Sequence, residues 1–178
     1  MSIKMARIQS LLSSDAEKNI TSGINALQRI VNGEDYVLNA MSRPDLNKYG
    51  GDSNVTFYWG SAGIPEKEYA KGYGIAKIAS KHGVNAVFKA IEIIAEGAIQ
   101  RYVPGNKTVV LTDGEYETVL ALTRFGEKET WLFNGWKIRI AGDNSEVSTQ
   151  SVSTQTNPTF SREDLGAAIS DYKNRNKV

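Results

Sequence analysis

The chain carries one histidine, His82, and no cysteine. His82 stands in "KHG", where Lys77 and Lys81 are four residues apart and so share a face if the segment is helical. Such a helix end gathers two ammonium groups beside the one side chain that titrates near neutral pH. Further along, Thr123, Arg124, Lys128, Thr130 and Asn134 supply more cations and hydrogen-bonding groups. A phosphate in such a nest is held by charge, and an imidazole beside it can move a proton. The same residues also have a plainer reading. A histidine at a helix C-terminus is favoured by the macrodipole without any function, and lysines on an amphipathic helix commonly form a solvated face.

Several other chemistries lack their parts. Without cysteine there is no thiolate nucleophile, thiolate metal site or disulfide. A single histidine and scattered carboxylates do not make a metal centre, so neither a metal nor a cofactor is expected. "GYGIAKIA" has glycines but no lysine-serine pair and no parallel-sheet context to cradle a nucleotide phosphate. The GxSxG nucleophile pattern is absent.

The elements that must position these groups are legible in outline. The first thirty residues read as two amphipathic helices broken at "SSD", with Ile3, Ile8, Leu11 and Leu12 in one and Ile20, Ile24, Leu27, Ile30 and Val31 in the other. They either pack on the remainder or form a docking or oligomerising arm. "SRPDLNKYGGDSN", residues 42–54, is turn chemistry and suggests a boundary, after which "VTFYWG" reads as a short strand. A short helix should end at Lys81–His82 with Gly83 as its stop. Val84, Val87, Phe88, Ile91, Ile94 and Ala95 then mark one face of a second helix ending at Gly97.

From Gln100 the apolar period becomes two. "KTVVLT", "YETVLALTR" and "ETWLFNGWKIRI" read as three consecutive strands joined at "DGE" and "FGEK", an antiparallel meander. Trp131 and Trp136, five residues apart, should fall on opposite faces of the last strand, one in the core and one free to stack a base. Residues 142–160 are polar, repeat "VSTQ" and read as a flexible linker. "SREDLGAAISDYKN", 161–174, is a capped helix that either folds back or serves a partner. The implied organisation is a helical arm at 1–41, an α+β domain at 55–141, the linker and the terminal helix.

Composition narrows the class. The chain has 178 residues, 40% of them hydrophobic, which is enough for one ordinary core. With 21 basic and 20 acidic residues the net charge is +1, so no broad electrostatic surface for nucleic acid or membranes is implied, though a local basic cleft is compatible with it. No apolar run approaches a membrane span and the N-terminus lacks a signal-peptide h-region, so a cytoplasmic protein is expected.

Taken in order, "VTFYWGSAG", "KGYGIAKIASKHG", a helix ending "AEGAIQ", "KTVVLTDGEYETVLALTR" and "KETWLFNGWKI" resemble the phage-encoded nuclease family grouped with barnase, EndoU, colicin-type and RelE-like toxins. The resemblance spans about Val55 to Ile140. It implies helices packed on an antiparallel sheet of about four strands, and metal-independent cleavage of RNA, tRNA included, by 2′-OH attack on the neighbouring phosphorus. Carried over by position, it implies catalytic roles for His82, Lys77, Arg124 and Thr130, with Lys81, Lys128, Asn134 and Thr123 binding substrate. Lys77 stands where the family has a histidine and Asn134 where it has a threonine. An active endoribonuclease of toxin or effector type and a degenerate nuclease fold used for binding, as a virion or host-inhibitor protein, both fit the pattern. An immunity, phage or host protein partner, a homo-oligomer through the N-terminal helices, and virion association or delivery are further implications.

Overall fold

The protein is described from a computed structural model covering residues 3–139 and 160–176, with side chains from residue 15 onward. Ile3–Val31 forms one continuous helix, α1. The expected break at "SSD" does not occur: Ser and Asp inside a helix cost only about 0.5 kcal/mol each, less than interrupting a backbone ladder. Ile24, Leu27 and Ile30 of α1 are buried in the core. Tyr36–Ser42 is strand β1, which the sequence pattern did not signal, and Asn54–Tyr58 is β2. The turn-rich stretch between them contains a 3-10 helix at Pro44–Tyr49 and joins two paired strands within one sheet.

Gly74–His82 is α2 and Val84–Glu96 is α3. They meet at Gly83, whose φ of +93° suits only a residue without Cβ. α3 buries Val87, Phe88, Ile91 and Ile94, each worth about 1.5–3 kcal/mol relative to exposure. No basic residue lies in its last turn, but the Arg43 guanidinium donates to the Ile94 carbonyl at 3.1 Å and satisfies that end. Four strands follow: β3 Ala98–Val103, β4 Thr108–Thr112, β5 Tyr116–Arg124 and β6 Glu127–Lys137.

β3 to β6 form an antiparallel meander, yet they are not the whole sheet. The sheet has six strands in the order β1-β2-β6-β5-β4-β3 and is mixed, because β2 pairs with β6 in parallel at Val55↔Thr130 and Thr56↔Trp131. The four-stranded expectation therefore gives way to a six-stranded α+β sheet; the strands absent from the sequence reading are β1 and β3, at its two edges. Both hairpin turns read from sequence are present. Asp113 Oδ1 accepts from the N–H groups of Glu115 and Tyr116 at 2.8 Å, and Phe125–Gly126 joins β5 to β6.

Arg162–Asn176 forms the last helix, α4. Its start is a reciprocal capping box in which the Asp164 N–H donates to Ser161 Oγ at 3.1 Å and the Ser161 N–H to Asp164 Oδ2 at 2.9 Å. α4 folds back: Leu165 and Ile169 are buried, and the Tyr172 ring stacks on Phe88 at 4.5 Å. The segment read as a linker lies outside the described residues but for its last residue, Phe160, which packs against Trp59.

Candidate functional site

β2 ends at Tyr58 while β6 continues to Lys137, so among the described residues half of β6 has no strand on that side. α2 occupies that place. Three ring contacts follow one another along the two elements. Tyr73 meets Trp131 edge to face at 5.9 Å, the Lys77 ammonium lies 6.0 Å from the Phe133 ring centre, and His82 packs 6.3 Å from Trp136. Nine residues of helix at 1.5 Å amount to about 13 Å. The Trp131–Trp136 stretch takes five residue steps, one of them in a bulge, and so advances by four strand steps of 3.3 Å, also about 13 Å, which lets the helix and strand keep step.

The chain entering α2 is held tightly. Ser61 and Tyr73 exchange backbone hydrogen bonds, and the Ala76 N–H donates to the Trp59 carbonyl at 2.8 Å. Gly60, at φ +73°, allows this approach, since a Cβ there would lie 2.1 Å from the Tyr73 carbonyl oxygen. The geometry of the loop thus fixes where Tyr73, Lys77 and His82 stand.

His82 continues the apolar face of Ile75, Ile78 and Ala79 and is half-buried. Burial, with Lys81 and Lys77 nearby, pushes its pKa down to about 4, so the imidazole is neutral at pH 7. Lys77 is likewise shifted down, by burial first and then by Lys81. The His82 imidazole is unprotonated and can accept a proton, as a weaker base than a free histidine, and an ammonium with a lowered pKa releases a proton more readily than a free lysine. Lys81 is exposed beside them.

The other expected residues lie elsewhere. Thr130 is buried, and its Oγ1 accepts the Asp52 N–H at 2.8 Å, anchoring the loop before β2. Thr123 and Lys128 are paired at the β5–β6 hairpin end. Asn134 turns its Oδ1 to the Gly135 N–H at 2.9 Å. Arg124 is at the hairpin, with its guanidinium 4.1 Å from the Tyr58 ring centre and 5.3 Å from that of Trp131. Since Trp131 and Trp136 are separated by about 13 Å of strand, a phosphate against His82 does not also touch Arg124. The eight residues thus form an α2 group (Lys77, Lys81, His82), a hairpin group (Thr123, Arg124, Lys128), Asn134 on β6 and Thr130 inside.

Sequence reasoning missed the tyrosines. Tyr58 and Tyr73 both flank Arg124, and the Tyr58 hydroxyl hydrogen-bonds Glu129; burial and that carboxylate push Tyr58 up to about 12, so it stays protonated. The available signal was aromatic residues ending a strand and starting a helix around a glycine-rich loop. Among the described residues no group of three or more His, Asp or Glu is placed to hold a metal ion, and no helix is long and apolar enough to cross a membrane. No family model matches the chain, and no curated protein or solved structure does so.

Proposed function

We propose that this protein is a metal-independent endoribonuclease of the phage-associated toxin type, acting in the cytoplasm on single-stranded RNA laid along α2 and β6. The observation that carries the reading is the placement of Lys77 and His82 on one short helix against Phe133 and Trp136 of β6, where burial lowers the pKa of both. The α+β class, helices packed on a sheet, is shared with the fold that the sequence resemblance implies, although this sheet has six strands and is mixed. In the proposed step the His82 imidazole takes the ribose 2′ proton as that oxygen attacks phosphorus. Lys77 gives a proton to the departing 5′ oxygen, and a 2′,3′-cyclic phosphate is left. Lys81 offsets charge on the phosphorane. Arg124 and Thr130, separated from His82, take no part in the proton transfers.

The test is incubation of purified protein with mixed RNA in EDTA, scored for cyclic-phosphate ends. Cleavage should fall at least a hundredfold in His82→Ala and persist or rise in Lys77→His. Intact RNA under these conditions would overturn the reading.

A second reading is favoured by one feature, the dispersal of the expected catalytic set. Here the same surface binds RNA or a protein partner without cutting, and binding survives His82→Ala.

A further inference from the structure

The β5–β6 hairpin tip contains an anomaly. Phe125 and Gly126 have φ of +52° and +81°, the signature of a two-residue primed turn in which both positions favour Asn, Asp or Gly. A phenylalanine there is strained, and this one is 89% exposed. Its ring nevertheless lies 4.6 Å from the Arg124 guanidinium, which Tyr58, Trp131 and Tyr73 also surround at 4.1, 5.3 and 5.4 Å. No carboxylate pairs with Arg124 among the described residues. The guanidinium thus sits among rings instead of against a carboxylate. Beside it opens a cavity of about 500 Å³ lined by Asp35, Tyr36, Tyr58, Trp59, Tyr73 and Arg124.

We propose that this cluster is a stacking subsite for one unpaired nucleobase of single-stranded RNA, with the Arg124 N–H groups meeting the phosphate next to it. The choice of RNA rests on the endoribonuclease reading above; the choice of a base rests on the cluster itself. A resident guanidinium repels a cationic ligand, whereas a neutral π-face can stack on Tyr, Phe and Arg alike. Tyr73 begins the helix whose next turn carries Lys77, about 6 Å along the axis, so an adjacent nucleotide reaches the lysine. Arg124 is thereby a binding residue. The subsite accepts only a base already out of a duplex, as sequence-tolerant single-strand binders do.

The test uses fluorescein-labelled 2′-O-methyl RNA hexamers, which cannot be cleaved by 2′-OH attack, and a ribose-phosphate hexamer lacking all bases, read by fluorescence anisotropy. Phe125→Asn creates the turn pair most favoured at this hairpin, so folding is not at risk. Wild-type protein should bind the base-bearing hexamer, and Phe125→Asn and Arg124→Gln should each weaken it roughly tenfold. The abasic chain should bind as weakly as Phe125→Asn does. Equal binding of both chains, an unaffected Phe125→Asn, or no binding by wild type overturns the subsite. Phe125-dependent binding without cleavage of natural RNA supports the subsite and overturns the nuclease. Cleavage with KM unchanged in Phe125→Asn does the reverse.

Discussion

Trp131 and Trp136 lie on the same face of β6. Their partners on β5, Ala121 and Glu117, are four residues apart, and a bulge at Phe133 removes the parity difference that a spacing of five implies. His82 against Trp136 and Arg124 against Trp131 therefore stand at two separate points along one face of the strand. Groups so placed should act independently. In a double-mutant cycle on RNA affinity, the effects of His82→Ala and Arg124→Ala should add to within about 0.5 kcal/mol. Marked coupling would return both to one phosphate.

The depressed His82 pKa makes a signed prediction for stability. Between about pH 4, its folded value, and 6.5, its ordinary one, the unfolded chain binds a proton that the folded chain refuses. The His82 contribution to stability is thus fully present above 6.5 and lost as the pH falls toward 4. Carboxylates titrate in the same range, so the readout is a difference. The gap in urea midpoint between wild type and His82→Gln should change across that window and be constant above it, and the imidazole NMR titration should centre near 4.

Thr130 should behave as a structural residue. Thr130→Val keeps the shape but leaves the Asp52 N–H without its acceptor, costing about 1–3 kcal/mol by urea denaturation. Thr130→Ser should recover part of this. RNA cleavage and binding per folded molecule should be unchanged in both, and a selective loss of cleavage would place Thr130 at the chemistry.

Phe125→Asn should gain stability as it loses ligand. Relief of the positive-φ strain is worth about 1 kcal/mol, seen as a raised Tm in a thermal melt. A lowered Tm would mean that the Phe125 ring supports the hairpin more than its backbone strains it.

How far the sequence led depends on local regularity. The α2–Gly83–α3 junction, the two hairpins of the meander and the capped α4 were legible because each is written in turn or cap chemistry. β1 escaped because it does not alternate. Asn39 sits at φ +56° and the register slips between Val37 and Met41, so its burial follows no period of two. The same effect misplaced the tryptophans. The parallel β2–β6 contact could not be read at all, since nothing local to Thr56 specifies Trp131. Of the candidate site, the cations on α2 were visible as a group. The aromatic surround of Arg124 was not, because Tyr58, Tyr73, Phe125 and Trp131 come from four separate places in the chain.

That parallel contact has a consequence for how the molecule is made. On a ribosome the β1–β2 hairpin emerges long before residue 131 exists, and its β2 edge has no mate until β6, the last strand of the sheet, is synthesised. The nascent N-terminal half must wait with an unpaired edge, and the seam between Thr56 and Trp131 is the step at which two halves become one protein.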